Sequence, residues 1–213
     1  MIVLGDVATL GPNPREVIEI LSASDAVFIN GNHDEILVDI FEHPDVTIHP
    51  DAYKWAASQI SGNHIAFLKR FARSSSILLS PKTKLIAYHA SPWSNSISLR
   101  EHIRSPEGRK ILDECEFDIF VGGHEHQQFK ENIGQKQIIS VGSAGFPYKK
   151  VPFHGFPEAH GWSEYAILEH RRGITDVIFK RVEYDIAAFH AAAKRSDNPI
   201  KEWCLSIPRN HQN

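Results

Sequence analysis

Apolar positions along this chain fall into two rhythms, short continuous runs and runs with helical spacing, and the two alternate through its first half. The run Met1–Leu4 stops at Gly5 and Asp6, as a buried parallel strand does when it delivers a side chain at its carboxyl end. After the turn-forming segment Gly11–Pro14, Pro14 opens a predicted helix with Val17, Ile18, Ile20 and Leu21 as its apolar face. Ala26–Asn30 reads as a second buried strand ended by Gly31, with a helix over Glu35–Phe41 behind it. Strand, helix, strand, helix in this order predicts a parallel sheet. From Asp51 to Ala72 the spacing of Trp55, Ala56, Ile60, Ile65, Phe67 and Leu68 predicts a helical insert of two short helices, broken near Ser61 and Gly62.

Beyond the insert the rhythm shortens. Ser76–Leu79 and Lys84–His89 read as strands on either side of Pro81, Arg109–Cys115 as a helix, and Asp118–Val121 as a buried strand ending in Gly122 and Gly123. The strand pairs Gln128–Asn132 with Gln137–Val141, and Glu164–Glu169 with Thr175–Val182, flank turns at Gly134 and Gly173 and make the second half mostly antiparallel. A last helix is expected over Ile186–Lys194. One domain over residues 1–195, followed by a loosely held tail over 196–213, is the expected organisation.

Composition narrows the class. A chain of 213 residues that is 42% hydrophobic and 23% charged can bury a sizeable core. A net charge of −3 provides no field to gather nucleic acid or an anionic membrane, so a phosphate-bearing ligand needs a local site. Cys115 and Cys204 stand far apart and match no metal-finger spacing; they read as reduced thiols, and a cytoplasmic location is expected. The apolar start is broken at once by Asp6 and forms neither a signal-peptide core nor a membrane span.

Four segments place metal-competent side chains at or just past predicted strand ends: Asp6; Asn32 with His33 and Asp34; His89; and His124 with His126. A divalent ion that activates water needs oxygen and imidazole donors on rigid elements with a position left open. In the GHEH segment at Gly123–His126, an extended backbone turns both imidazoles to one face and Glu125 to the other. Singly these residues have ordinary readings, Asp6 and Asn32 as turn residues and His89 as a packing histidine. Their shared position at strand ends is what favours a metal site.

GD at Gly5–Asp6, GNHD at Gly31–Asp34, YHASP at Tyr88–Pro92 and GHEH, in this order, resemble four of the five signature segments of the calcineurin-like metallophosphoesterases. The segments GPNPREVIEIL after Asp6 and GSAGFP at Gly142–Pro147 further resemble predicted phosphoesterases related to diadenosine tetraphosphatase. The resemblance implies a four-layer α/β/β/α sandwich with mixed sheets and metal-dependent hydrolysis of a small phosphodiester or phosphomonoester. It also implies divalent ions, manganese first, with iron, zinc and nickel open. It makes Asp6 the carboxylate that bridges two ions, with Asn32, His89 and His124 completing the ligands of the second ion and His126 reaching the first ion. His33 is then the group that protonates the leaving oxygen, and Asp34 the one that orients its imidazole.

The family's first signature, an Asp and a His two residues apart at the end of the first strand, has no counterpart here. Asp45 and Asp51, near His43 and His49, follow the GNHD helix and are not replacements. The resemblance thus leaves the first strand and helix absent, one ion fully furnished and the other half furnished, and a longer natural protein is expected. An unpaired edge beside Met1–Leu4 is expected to favour self-association. The alternative function is a non-catalytic binding or scaffold protein on the same fold. His154 and His160, in the loop Pro152–Trp162, are read as surface residues.

Overall fold

The computed structural model describes residues 1–45, 48–152 and 155–208; His154 and His211 lie outside the described residues. Strand β1 (Ile2–Val3) leads through helix α1 (Pro14–Ser22) to β2 (Val27–Phe28), which pairs with it in parallel. Helix α2 (Asn32–Glu42) follows at once, then the insert helices α3 (Asp51–Ser58) and α4 (Gly62–Leu68). Phe28, Phe67 and Phe71 form a ring cluster with centroids 5.0 Å apart, and Ala72 N–H donates to the Phe28 carbonyl, so the insert is fastened to β2.

The chain then crosses a bigger sheet. Strands β3 (Ser74–Ser80) and β4 (Thr83–Tyr88) are antiparallel, and α5 (Leu99–His102) and α6 (Pro106–Glu114) lead into β5 (Ile119–Gly122). With β6 (Gln128–Ile133) and β7 (Lys136–Val141) these make a mixed sheet in the order β3-β4-β5-β7-β6, in which β4, β5 and β7 run parallel. Alternation along β4, β5 and β7 sorts the side chains into two layers. Ile86, Tyr88, Phe120 and Ile138 pack with Leu112 of α6, while Leu85, Ala87, Val121 and Ile139 pack on the other side with Ile2 and Leu4. Full burial of one such side chain is worth about 1.5–3 kcal/mol.

Short strands β8 (Tyr148–Lys150), just before the expected loop, and β9 (Glu158–Ala159), inside it, pair with each other, and β10 (Trp162–Arg171) and β11 (Ile174–Glu183) form a long hairpin. Leu168, Val177 and Phe179 on its inner face join the core over Ala87 and Val121. Helices α7 (Ile186–Arg195) and α8 (Lys201–Ser206) close the described chain. The layers run from α5 and α6, through the five-stranded sheet, to β1, β2 and the hairpin, with α1 to α4 beyond β2.

Several expectations change. Only Ile18 of the four apolar positions on α1 is fully buried; Val17 and Ile20 face solvent, because the helix presents a narrow stripe to Leu37 and its neighbours. Helix α2 begins at Asn32, not Glu35, so the GNHD segment lies in its first turn. The expected loose tail contains α8, whose Trp203 and Cys204, with Ile207 just past its end, are buried against Phe146, and buried Asn198 donates to the Leu10 carbonyl at 3.1 Å. Its apolar residues are too few to announce a helix in sequence, yet they suffice to pack on an existing surface. His43 and His49 share Asp39, at 3.1 and 2.8 Å; the first pair has the i, i+4 spacing of a helix, and the second is made only by the fold. Among the described residues no helix is long and apolar enough to cross a membrane.

Candidate metal centre

The centre forms where β1, β2, β4 and β5 end. Past β1 the backbone enters the left-handed region at both Gly5 (φ 91°) and Asp6 (φ 58°), which swings the Asp6 carboxylate toward the start of α2. A β-carbon on Gly31 would sit 2.1 Å from Asp6 Oδ1, so glycine is the residue that permits this approach. Asp6 Oδ1 accepts the His33 N–H at 2.8 Å, one of the N–H groups that a helix start leaves free, and the α2 dipole favours the anion there.

Around the other carboxylate oxygen the donors converge. His89, almost fully buried, has its Nε2 3.1 Å from Asp6 Oδ2, 3.2 Å from Asn32 Oδ1 and 3.2 Å from His124 Nδ1. The ligand atoms of Asp6, His89 and His124 all lie within 4.8 Å of one another. His89 Nδ1 meets the Leu4 carbonyl at 2.5 Å; a carbonyl only accepts, so the ring proton is on Nδ1. In the neutral ring Nε2 is then a lone pair that faces the lone pairs of Asp6 and Asn32. Such a set is held together by a proton or by a cation, and two oxygen with two imidazole donors fit a divalent transition ion. Burial works against a charged His89, but the hydrogen bond and charge of Asp6 outweigh it and raise the ring's basicity. Burial likewise opposes ionisation of Asp6, yet the hydrogen bond and charge of His89, aided by His33, hold its carboxyl at about 2. The Asp6 carboxylate is therefore ionised, and its charge favours a proton or a cation beside His89 Nε2.

His126 lies outside this group of three. The GHEH segment is not extended: His124 (φ 64°) and His126 (φ 54°) are both left-handed, so alternation does not turn their rings to one point. His126 Nδ1 donates to the Phe146 carbonyl at 2.6 Å and its ring stacks on Tyr148 at 4.2 Å. Burial pushes its basicity down to about 4, which leaves a neutral ring with Nε2 as a lone pair. Non-glycine residues in this conformation cost about 1–3 kcal/mol each, and three of them, Asp6, His124 and His126, belong to the predicted site.

Asp34 does not orient His33. Its fully buried carboxylate accepts the N–H groups of Asp6 at 2.8 Å, Gly31 at 2.9 Å and Val7 at 3.0 Å, and so holds the β1 exit against the start of α2. Neighbours in sequence on a helix start point to different sides, which is why the pairing expected for Asp34 and His33 does not form. Burial, with the charge of Asp6 adding to it, pushes Asp34 up to about 6 despite the three donors. The His33 ring is held by hydroxyls instead, Thr9 Oγ1 at 2.9 Å from Nδ1 and Tyr53 OH at 3.2 Å from Nε2. Its Nδ1 is 3.8 Å from Asp6 Oδ2. Burial, reinforced by the charge of His89 and opposed by Asp6, keeps His33 below the ordinary histidine range.

Thr9, Tyr53 and Tyr148 are the site residues that sequence reasoning misses. Burial raises the Tyr148 hydroxyl to about 12, with Tyr53 and Asp6 close enough to add to the effect. Tyr53 lies on the insert helix α3, far in sequence from every signature segment, and only a local excess of aromatics near the insert hints at it.

The sequence profile of the calcineurin-like phosphoesterases matches residues 1–128, the stretch that holds every donor described above. No curated protein matches the chain. Among solved structures, a hypothetical protein of Pyrococcus horikoshii superposes with a TM-score of 0.74 at 17% identity, over 100% of this chain and 85% of its own. A metallophosphoesterase of Sphaerobacter thermophilus superposes with a TM-score of 0.65 at 19% identity, over 95% of this chain and 84% of its own. At these identities the two likenesses speak to the fold.

Proposed function

We propose, from the premise that this chain belongs to the calcineurin-like phosphoesterase family, that it hydrolyses a small phosphoester with a divalent ion held by Asp6, Asn32, His89 and His124. One observation carries the reading: the lone pair of His89 Nε2 faces Asp6 Oδ2, Asn32 Oδ1 and His124 Nδ1 at 3.1–3.2 Å, an arrangement that a cation satisfies. When bound, such an ion supplies Lewis acidity toward a phosphoryl oxygen and lowers the pKa of water. Mixed oxygen and imidazole donors suit manganese, iron, zinc or nickel, and manganese is the ion to try first. His126, whose neutral ring carries its proton on Nδ1 and a lone pair on Nε2, is the donor in reserve for a second ion.

His33 is the proton carrier in this reading. It sits 3.8 Å from Asp6, and hydroxyls of Thr9 and Tyr53 engage both ring nitrogens. A hydroxyl both donates and accepts, so either nitrogen can hold the proton while the ring keeps its position. Delivery of that proton to the leaving oxygen is general acid catalysis, worth about 10²–10⁴-fold. The substrate is held locally, since a net charge of −3 does not attract polyanions, and the free thiols Cys115 and Cys204 fit the reducing cytoplasm.

The test is hydrolysis of a generic aryl phosphodiester and phosphomonoester with manganese, iron, zinc and nickel in turn. Activity toward at least one ester, lost on chelation, is expected; His33→Asn should lower kcat about 10²–10⁴-fold while manganese affinity holds. Tight ion binding without hydrolysis of either ester would place the chain with the non-catalytic binding proteins of this fold.

A further inference from the structure

The hairpin β10–β11 has an outer face that an antiparallel sheet in water does not ordinarily present. Its register pairs Tyr165 with Lys180, Ile167 with Ile178, and Glu169 with Asp176. Beyond these rows lie Ser163 beside Val182 at one end and Arg171 beside Ile174 at the other. Side chains alternate across a strand, so these rows share one face while Leu168, Val177 and Phe179 enter the core on the other. On an antiparallel sheet the solvent face is expected to be polar. Here Tyr165, Ile167, Ile178 and Val182 are exposed at 39–46%, and Ile174 at the tip at 65%.

The order of the rows is self-complementary. A two-fold axis across the strands at the Ile167–Ile178 row lays that row on itself in a second copy. It also brings Lys180 opposite Asp176, Tyr165 opposite Glu169, and Val182 opposite Ile174. Along β11 each charge meets its opposite and the apolar ends meet each other; along β10 Glu169 meets Tyr165 and Arg171 meets Ser163. A slip by one row would instead set Lys180 against Ile178 and leave Asp176 facing Val182, with the charges desolvated and unpaired. The pattern thus selects one register, as an isologous contact requires. We infer that the outer face of β10–β11 docks on the same face of a second copy of this chain, with the Ile167–Ile178 row on the two-fold axis and Lys180 paired with Asp176 of the second copy. This face is separate from the β1 edge, and the inference does not depend on the metal centre. A two-stranded face is small for a specific interface, so the dimer should be reversible, with Kd in the micromolar range, about 10⁻⁶–10⁻⁴ M.

Sedimentation equilibrium of the full chain from about 1 µM to about 1 mM tests it. A monomer–dimer equilibrium is expected, weakened at least about tenfold by Lys180→Glu or by Asp176→Lys and abolished by Ile178→Asp. The double exchange, Lys180→Glu with Asp176→Lys, should restore the affinity, because it rebuilds the same pair in reverse. Ile178→Cys provides a check that needs no charge change: on the axis, it should form a disulfide-linked dimer under mild oxidation that the parent chain, with Cys115 and buried Cys204, does not form. A monomer at every concentration, a dimer indifferent to Ile178→Asp, or a double exchange that stays as weak as the singles would each overturn the inference.

Discussion

The floor of the candidate metal centre and the wall beside it are built in different ways. The floor, Asp6, Asn32, His89 and His124, comes from backbone that has no freedom: strand ends, a helix start, left-handed turns, and a histidine locked by the Leu4 carbonyl. The wall, Thr9, Tyr53 and Tyr148, reaches the site through side chains from a loop, an insert helix and a short strand, and touches His33 and His126 through one hydroxyl or one ring face each. Every floor residue depends on the others, since His89 Nε2 alone contacts three of them. The wall residues act singly. Donor geometry on the floor therefore tolerates little change, whereas the wall is where the same chemistry can be adjusted for shape and substrate.

Substitutions should follow that contrast. His89→Ala removes the atom that three other donors share and leaves Asp6 Oδ2 without its imidazole partner. Loss of about 10³-fold or more in manganese affinity and in kcat/KM is expected, on the order of 4 kcal/mol, read by calorimetry and steady-state assay. A retained metal affinity would mean that the floor is not the binding set. Asp34→Asn puts an amide where three N–H groups need an acceptor, so one of them is left unsatisfied. Stability should fall by about 1–3 kcal/mol in denaturant melts, and activity by about 10–100-fold as Asp6 loses its anchor. Full activity with lowered stability would separate Asp34 from the floor. Tyr53→Phe removes only the hydroxyl on His33 Nε2, and a change of about tenfold or less in kcat, with metal affinity intact, is expected. An effect as big as that of His89→Ala would erase the distinction between wall and floor.

Legibility in sequence followed the same division. Asp6, Asn32, His89 and His124 were readable because each lies beside a glycine or a strand end within a few residues of chain, and local spacing carries that information. The roles of their neighbours were not. Asp34 was expected to orient His33, but its carboxylate is spent on the N–H groups of Asp6, Val7 and Gly31, two of them from a segment 27 and 28 residues away. His126 was expected to join the others through an extended backbone, and two left-handed residues changed its direction.

The alternation of strand and helix, the hairpin turns and the donor segments were thus determined by local pattern, because burial and backbone geometry act on residues close in sequence. What only the tertiary structure decided is which polar group meets which: that Thr9 and Tyr53 hold His33, that α8 packs on Phe146 instead of trailing in solvent, and that Lys180 and Asp176 lie two rows apart on one exposed face. Hydrogen bonds and charge pairs act over about 3–4 Å of space and are indifferent to distance along the chain, so their partners become visible only when the layers are stacked.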